Sequence, residues 1–457
     1  MTVAAAAVPV CDDMLVKGYA DKIRATGKID PSLYEKYNVK RGLRNADGTG
    51  VLVGLTGIGS VHGYVISESE KVSVPGQLFY RGINVNDLVK GFQDEQRPGF
   101  EETAYLLLFG ELPGASELKT WCDLLDVQRR LPDGFKESAI MRSPGKDIMN
   151  SIARAVLMAY TYDAAPDKLD LETTLRQCIS MIAQFPVIAA YAYQAKAHYH
   201  MGQSLMMRYP EAGKSTAENF LMLMREDGQY LPLEAELLDL CLVLHAEHGG
   251  GNNSAFTTHV VTSSFTDSYA AIAAATLSLK GPRHGGANLR VMDQMHEIKA
   301  NVKRWDNEGE VADYLVKILG KEAGDGTGLI YGLGHAVYTL SDPRTDILRE
   351  KAHALAKVKG REEEMALYEM IERIGPGLFN RNRAKPRDLC ANVDFFSGFV
   401  YDMLNIPVDL YTPLFAISRV VGWSAHRIEE LLNSGPIIRP AYKAVFEQRP
   451  YRPLDAR

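Results

Sequence analysis

The chain has 457 residues, of which 46% are hydrophobic, 24% charged and 9% aromatic, and its formal net charge at pH 7 is −6. This composition is typical of a globular protein large enough for two or three domains, and it excludes a disordered or fibrous chain. Because no long basic block is present, we expect no nucleic-acid binding, and anionic ligands would have to be bound by individually placed arginines.

Cysteine usage and hydropathy indicate the compartment. The five cysteines never occur in CxxC or CxxxC spacing, which favours a reducing compartment and argues against a zinc framework. The N-terminal stretch has no Lys or Arg before its apolar run, so it is a poor secretory or mitochondrial signal. The best apolar run, 270–279, is shorter than the roughly 18 to 20 residues that a membrane helix needs. We therefore expect a cytoplasmic protein that does not interact with membranes.

The first elements are an arm and a hairpin. Residues 1–50 mix charged, polar and glycine residues around one or two short helices. From residue 51, VLVGLTGIGSVHGYVISESEKVSV is rich in β-branched residues and glycine, which predicts strands joined as a hairpin. Gly57-Ile58-Gly59 could be a fragment of a dinucleotide fingerprint, but that motif requires a helix to follow, whereas Tyr64-Val65-Ile66 continues the strand pattern. We therefore reject nucleotide binding there.

The rest of the chain is helical in pattern. Helical apolar spacing or helix-favouring composition occurs over 99–110, 146–163, 171–196, 215–225, 232–248, 265–280, 286–302, 308–320, 345–373, 394–404 and 412–432. Proline and glycine separate these segments, as at Gly281-Pro282 and Gly375-Pro376-Gly377. Because strands and helices do not alternate, a doubly wound sheet is not expected. The prediction is a mainly α architecture with a small β-hairpin region near the N-terminus.

His248 ends the apolar stripe of the helix predicted from Pro232, directly before three glycines. Two alternatives to a functional role are open. The side chain could be a satisfied core or C-capping histidine. It could also bind a metal with His245 and Glu247, although no third ligand at a recognisable spacing follows.

His284 lies in GPRHGGAN, where Gly281 and Pro282 end one helix and helical spacing resumes after the histidine. At or just before a helix N-terminus, the partial positive charge disfavours imidazolium. A neutral imidazole that donates a hydrogen bond is therefore expected, and such histidines polarise carbonyls and stabilise enolates.

Residues 328–344, GLIYGLGHAVYTLSDPR, place His335 behind Gly332-Leu333-Gly334. The small residues would let a ligand approach the backbone closely, as at a nucleotide or thioester chain. The turn at Asp342-Pro343 directs Arg344, for which the simplest interpretation is a solvated arginine.

One carboxylate and two further arginines follow. Asp394 precedes an apolar helical stretch, where a helix N-cap is the simplest interpretation. Arg419 lies between Phe415 and Trp423 on a face predicted to be buried, so its charge needs an anion, either a ligand or an Asp or Glu of the protein. Arg439 has no helical context. Together with the histidines, these residues suit proton abstraction next to a carbonyl on a polyanionic substrate.

The motifs HAEHGGGNNSAFTTHVVTSS, LKGPRHGGAN, GLGHAVYTLSDPR, NVDFFSG and SRVVGWSAH resemble those of the citrate synthase family in order and spacing. The resemblance runs from 78 to 440. It implies a homodimer with a two-domain helical fold: an arm at 1–50, a large domain at 51–284 and 392–457, and a small mobile domain at 285–391. It also implies condensation of acetyl-CoA with oxaloacetate through citryl-CoA, with no metal and no cofactor besides the CoA thioester substrate.

The resemblance assigns roles to the candidate residues. Asp394 corresponds to the base that removes a methyl proton of acetyl-CoA, and His284 to the donor that stabilises the enolate. His335 corresponds to the histidine that polarises the oxaloacetate carbonyl. Oxaloacetate would be bound by the remaining basic residues, of which the last comes from the other subunit: His248, Arg344, Arg419 and Arg439.

Contacts to CoA are implied at five positions: Gly332, Leu333, Gly334, Lys385 and Arg387. The two basic residues are included because Thr339 stands where relatives often place Lys or Arg near the CoA phosphates. The close alternative is 2-methylcitrate synthase, which uses propionyl-CoA. Two alternatives from other classes are a metal-dependent hydrolase that uses His245, Glu247 and His248 and a catalytically silent helical scaffold.

Overall fold

A computed structural model describes residues 13–45, 47–67, 70–381, 383, 385–433 and 435–456. Residues 1–12, with Cys11, lie outside this part of the chain. The chain forms two compact units. One joins the N-terminal stretch up to Gly54 with the C-terminal stretch from Arg439, and the other is Leu55–Ile438. The predicted division into a large domain and a small domain at 285–391 stays a prediction.

The smaller unit contains short helices, as predicted for the arm. They are α1 (Asp13–Thr26) and α2 (Ser32–Lys36), with single 3-10 turns at Arg41–Leu43 and Leu454–Ala456. Helix α2 buries none of its side chains.

The larger unit begins with an antiparallel sheet, which confirms the predicted hairpin. Its strands are β1 (Gly59–Ser67), β2 (Glu70–Tyr80) and β3 (Ile83–Asn84), in the order β1-β2-β3. The register of β1 and β2 shifts between His62 and Tyr64. At the shift, a Cβ on Gly63 would lie 2.5 Å from the carbonyl oxygen of Val337. The hairpin therefore packs directly against the loop that carries His335, and only glycine at position 63 allows so close an approach.

The remaining structure of the larger unit is helical. A π-helical turn lies at Lys136–Met141, and 3-10 turns lie at Tyr160–Tyr162 and Val408–Leu410. The α-helices are α3 (Val85–Asp94), α4 (Phe100–Phe109), α5 (Ala115–Gln128), α6 (Ile148–Ala159), α7 (Leu171–Met201), α8 (Thr216–Met224), α9 (Pro232–His245), α10 (Asn253–Thr262), α11 (Ser268–Lys280), α12 (Ala287–Asn301), α13 (Glu308–Leu319), α14 (Pro343–Lys359), α15 (Glu362–Asn380), α16 (Val393–Met403) and α17 (Tyr411–Asn433).

Two helices form the centre of this unit. Helix α7 packs against α5, α6, α8 and α17, and α17 also contacts α4, α9, α10 and α11. By length and composition α7 could cross a membrane, but 78% of its apolar window is buried inside the protein. The sequence predicted a helix over 171–196, but its short uninterrupted apolar runs did not indicate a helix apolar enough to pass as a membrane span. Its buried side chains make it a core helix around which the others are arranged.

The helix boundaries differ from the prediction in three places. Helix α9 ends at His245, so the predicted continuation to His248 is wrong. The single helix predicted over 345–373 is two helices, because Gly360 takes a left-handed conformation (φ 64°) that ends α14. The break predicted at Gly375-Pro376 instead lies inside α15. A Cβ on Gly375 would lie 2.5 Å from Leu333 Cδ1, so the glycine serves close packing and not a turn.

Candidate active site

His284 lies in the turn between α11 and α12, just before the helix that Ala287 begins, as predicted. Its Nε2 accepts the peptide N–H of Ser254 at 3.3 Å and lies 2.9 Å from the hydroxyl of the same residue. That hydroxyl also accepts the indole N–H of Trp423 at 3.0 Å. Because a peptide N–H can only donate, Nε2 is an acceptor. The neutral ring therefore carries its proton on Nδ1.

The protonation state of His284 follows from its surroundings. Burial and the nearby Arg419 lower the pKa of His284 to about 4. The prediction of a neutral ring agrees with this direction, but burial and a charged neighbour are the causes, in place of the predicted helix terminus. At neutral pH His284 offers an uncharged N–H donor.

His335 takes the opposite tautomer. Its Nδ1 accepts the peptide N–H groups of Val337 and Tyr338, each at 3.1 Å, so the proton of the neutral ring is on Nε2. The ring stacks on Tyr338 with the centroids 4.7 Å apart, and the edge of His248 lies against it at 5.1 Å.

His248 lies beyond the end of α9 and is 9% exposed. Its Nε2 is buried and has no hydrogen-bond partner among the described residues, so the satisfied core histidine considered above is wrong. Burial and the charge of Arg344 hold the pKa of His248 well below its usual range. A neutral ring with an unmet nitrogen is suited to bind a ligand.

The His335 loop and the start of α16 are joined by backbone hydrogen bonds. The N–H of Gly334 donates to the carbonyl of Cys390 at 2.7 Å, and the N–H of Asn392 donates to the carbonyl of Gly332 at 2.8 Å. The Asn392 side chain caps α16 by accepting the N–H of Asp394 at 3.0 Å. Asp394 is therefore not the N-cap, and its carboxylate is left for another purpose.

Gly332 and Gly334 are required by conformation and packing. Their φ angles are 81° and 99°, and a Cβ would lie 2.7 Å from Phe395 at Gly332 and 2.9 Å from Leu389 at Gly334. The predicted reason, close approach of a ligand to the backbone, is not the one that the packing of these residues shows.

Asp394 is partly buried, and burial raises the pKa of its carboxyl to about 6, against the lowering effect of Arg344 and Arg419. Asp342 adds to the increase. A carboxylate in this range can accept a proton near neutral pH and release it again.

Arg344 is buried and paired, so the alternative of a solvated arginine is wrong. Asp342 caps α14 and binds the guanidinium in two places, from Nε at 3.0 Å and from Nη2 at 2.7 Å. Burial alone would lower the pKa of Arg344, but Asp342 raises it above the ordinary value. The cation is therefore permanent and fixed in orientation, and its Nη1 takes no part in this pair.

Arg419 on α17 is 1% exposed, which confirms the predicted buried face. Its Nε donates to the carbonyl of His245 at 2.6 Å, while Nη1 and Nη2 are buried without a hydrogen-bond partner among the described residues. Burial lowers the pKa of Arg419 to about 10, against the raising effect of Glu247. The side chain is charged at neutral pH and presents two unmet NH2 groups, which match the two oxygens of a carboxylate.

Ring contacts connect these groups. Arg419 lies over the ring of Phe415 at 4.7 Å, and the edge of His284 meets the same ring at 6.3 Å. On the other side, Arg344 lies over Tyr338 at 5.6 Å, and Tyr338 carries His335. Both guanidinium groups act on the pKa of Asp394, as described above. The structure thus brings together the three histidines, the carboxylate and two of the three predicted arginines.

The remaining predicted residues lie elsewhere. Arg387 lines a cavity of about 260 Å³ together with Thr339, Pro376 and Asn380, whereas Lys385 lies nearby in the chain and is exposed. Arg439 begins the C-terminal stretch of the smaller unit and is exposed. The predicted CoA contacts and the contribution of Arg439 to a partner subunit stay predictions.

The metal site considered from sequence is not formed. His245 Nδ1 lies 2.7 Å from the carbonyl of Cys241 in its own helix, and Glu247 Oε1 accepts from His426 Nε2 at 3.1 Å. Among the described residues, the potential metal ligands that converge are His259, His426 and Glu429.

Two residues that orient site side chains were not predicted from the sequence: Ser254, which orients His284, and Asp342, which orients Arg344. Ser254 fixes the tautomer of His284 from 30 residues away, which no local spacing signals. Asp342 was identified as a turn residue, and the Asp-Pro-Arg order could have indicated a cap that also binds the following arginine.

Comparison with known proteins finds similar sequences and similar structures. The family model "Citrate synthase, C-terminal domain" matches residues 48–441. Citrate synthase of Haloferax volcanii is 32% identical over 87% of this chain and 98% of its own, and 2-methylcitrate synthase 1 of Corynebacterium glutamicum is 32% identical over 88% and 98%. A complex of citrate synthase from Thermoplasma acidophilum with carboxymethyl-CoA and oxaloacetate has a TM-score of 0.74 at 25% identity, covering 91% of this chain and 99% of its own.

Proposed function

This chain belongs to the citrate synthase family of condensing acyltransferases, and on that basis we propose that it joins acetyl-CoA to oxaloacetate to give citrate and free CoA. The observation that carries this proposal is the buried guanidinium of Arg419. Its two unmet NH2 groups lie near the Asp394 carboxylate, whose pKa is raised. The same site contains His284 and His335, two neutral histidines of opposite tautomer. Glu247 and Asp394 are near enough to act on the pKa of Arg419, but no described residue accepts a hydrogen bond from Nη1 or Nη2, so a carboxylate of a dicarboxylate substrate is the partner we assign to them.

The first step forms the nucleophile. The Asp394 carboxylate takes a proton from the methyl group of acetyl-CoA, and the electron pair of the C–H bond moves into the thioester carbonyl. His284 donates its Nδ1–H to the developing oxyanion. A neutral donor suits this purpose because the charge appears only as the reaction proceeds.

The second step forms the carbon–carbon bond. The enolate carbon attacks the keto carbon of oxaloacetate, whose oxygen accepts a proton from His335 Nε2–H to give citryl-CoA. Arg344 and Arg419 bind the carboxylates of oxaloacetate, and His248 forms a hydrogen bond with the same substrate. The proton taken up by Asp394 then returns to His335, which restores both groups. Water attacks the thioester and the C–S bond breaks: the hydroxyl of the water stays on the new carboxyl group of citrate, and its other proton goes to the CoA thiolate.

Several further parts of the proposal rest on the family. We infer a homodimer in which Arg439 completes the oxaloacetate site of the partner, and a closing motion of residues 285–391. CoA would lie along the segment of Gly332 to Gly334, with Arg387 and Lys385 near its phosphates. Closure would exclude water while the enolate exists. We place the reaction in the cytoplasm and expect it to need no metal or additional cofactor.

The second candidate is 2-methylcitrate synthase, because curated relatives of both kinds are about equally similar to this chain. The two reactions differ by one methyl group on the acyl chain, which is worth about 1 to 3 kcal/mol in a pocket. The relatives therefore do not decide between acetyl-CoA and propionyl-CoA.

The test is a thiol-release assay with acetyl-CoA, propionyl-CoA and butyryl-CoA, with and without oxaloacetate. We expect release only with oxaloacetate and the highest kcat/KM for acetyl-CoA. A preference for propionyl-CoA would replace the first candidate by the second. Absence of oxaloacetate-dependent release with every thioester would refute both.

A further inference from the structure

A second cluster of ionisable side chains lies behind Glu247, away from the substrate groups. Helix α10 contributes His259, and the C-terminal half of α17 contributes His426, Glu429 and Glu430. The proposed reaction makes no use of these four side chains.

The two histidines face each other in a geometry that suits a metal ion. His259 Nε2 and His426 Nδ1 are 3.1 Å apart. Glu429 Oε1 lies 3.9 Å from His426 Nδ1, and the three atoms are all within 4.8 Å of one another. Two nitrogens bound to tetrahedral Zn²⁺ at about 2.0 to 2.1 Å lie about 3.4 Å from each other. The separation of the two histidine nitrogens is about 0.3 Å shorter than in that arrangement, and the carboxylate oxygen would have to move closer to complete it.

The opposite nitrogen of each ring is held by a carboxylate. His426 Nε2 donates to Glu247 Oε1 at 3.1 Å, and His259 Nδ1 donates to Glu430 Oε2 at 2.7 Å. Metal-binding histidines usually donate their other N–H to a carboxylate in this way, which fixes the tautomer. Here both tautomers direct a lone pair into the same space.

A shared proton between the rings is the competing explanation. It requires one proton more than two neutral rings and two ionised carboxylates supply, held by His259, His426, Glu430 or Glu247, because the outer nitrogen of each ring also faces a carboxylate. A metal cation bound by the two lone pairs needs no extra proton on either ring.

The third ligand is positioned and unused. Glu429 Oε2 accepts the N–H of Gly57 at 2.7 Å, whereas Oε1 is buried with no hydrogen-bond partner among the described residues. Arg81 is a nearby cation, and a Cβ on Gly57 would lie 3.7 Å from both Arg81 Nη1 and Glu429 Oε2. Arg81 Nη1 and Glu429 Oε2 therefore both lie next to Gly57.

Space and access fit an ion. A Cβ on Gly250 would lie 3.5 Å from ring atoms of both His259 and His426, so the glycine keeps that side of the pair open. The side chains of His259, Glu429 and Glu430 are 14%, 15% and 19% exposed, which gives a short path from solvent.

We propose that His259, His426 and Glu429 bind a divalent transition-metal ion, with Zn²⁺ as the best match and water as the fourth ligand. Imidazole and carboxylate ligands in tetrahedral geometry suit this ion. The ion would join α10 to α17. Helix α10 also carries Ser254, which orients His284. The ion would therefore stabilise the position of α10, and with it the orientation of His284, without touching substrate.

The test uses the full-length protein after treatment with a chelator and dialysis. Zn²⁺ is titrated by calorimetry, and Co²⁺ is added separately as a spectroscopic probe of the ligand geometry. We expect one Zn²⁺ per chain, tetrahedral d–d bands with Co²⁺ and a higher Tm with metal. Glu430→Gln should weaken binding about 10- to 100-fold, as loss of an outer carboxylate does, and His259→Gln and Glu429→Gln should weaken it more.

His353→Gln is the matched control, because His353 forms a surface pair with Glu369 at 2.6 Å and belongs to no group of three potential metal ligands in the described part of the chain. It should leave Zn²⁺ affinity unchanged. Absence of stoichiometric binding would overturn the proposal, as would wild-type affinity in both His259→Gln and Glu429→Gln or an equal loss in His353→Gln. Metal binding is read without an activity assay, so this outcome is independent of the proposed condensation.

Discussion

Replacement of Arg419 by methionine tests the proposed carboxylate site most sharply. The side chain is buried, and its Nη1 and Nη2 have no partner among the described residues. Two charge-assisted hydrogen bonds to a substrate carboxylate contribute about 1.5 to 3 kcal/mol each. Arg419→Met should therefore weaken oxaloacetate binding by about 3 to 6 kcal/mol, which is roughly a 150- to 20,000-fold increase in Kd.

Arg427 on the same helix provides the matched control. It is also fully buried, but its donors are used within the protein: Nε by Ser268 at 2.9 Å, Nη1 by Thr262 at 3.2 Å and Nη2 by the carbonyl of Thr266 at 2.7 Å. Arg427→Met should lower the free energy of unfolding by about 2 to 5 kcal/mol through the loss of these bonds. It should leave the oxaloacetate Kd of the folded protein nearly unchanged.

The assay is calorimetric titration of oxaloacetate into each folded variant, with denaturant unfolding in parallel. We expect a large loss of affinity for Arg419→Met and a loss of stability for Arg427→Met, and the proposed carboxylate site predicts this difference. It is refuted if Arg419→Met binds oxaloacetate within about threefold of wild type, or if the two variants lose affinity equally.

Four further predictions concern protonation and packing. Because the Asp394 pKa is raised to about 6, the base is lost as pH falls, and kcat/KM should decrease about tenfold per unit below pH 6; a flat profile down to pH 5 would contradict this. Its folded pKa lies above the unfolded value near 3.9, so the ionised form destabilises the fold above pH 6, and Asp394→Asn should raise Tm at pH 8 but not at pH 4. Nitrogen-15 NMR should show the proton on Nδ1 of His284 and on Nε2 of His335, and the reverse assignment would exclude the proposed donors. Gly332→Ala should lower stability by at least about 1 kcal/mol in denaturant unfolding because of its positive φ and the nearby Phe395, and an unchanged midpoint would contradict the packing.

Much of the helical architecture could be predicted because long apolar stripes determine it. Helices α6 to α9, α11 to α13, α16 and α17 lie where the spacing placed them, within a few residues at their ends. Helix α10 was missed because its sequence, NSAFTTHVVT, consists largely of Thr and Val, which have low helix propensity. Helix α5 was missed because it buries only Trp121 and Leu125, too few residues for a periodic signal.

Some features of the site could likewise be predicted from the sequence, and others could not. Arg419 could be identified because a charge on an apolar helix face requires an anion, and the structure confirms its burial. The tautomer of His284 could not be predicted, because it depends on Ser254 at the start of α10. Likewise, Glu247 could not be separated from His245 and His248 as a metal ligand until its contact with His426 on α17 was known.

The fate of the acetyl methyl hydrogens tests the central claim most directly. Wild-type protein is incubated with oxaloacetate and acetyl-CoA that carries a fully deuterated methyl group, and the products are identified by mass spectrometry. Proton abstraction by Asp394 followed by condensation predicts citrate that retains two of the three deuterons, and no such citrate with Asp394→Asn. Trideuterated acetate with unlabelled oxaloacetate left over would show simple thioester hydrolysis and would contradict the account.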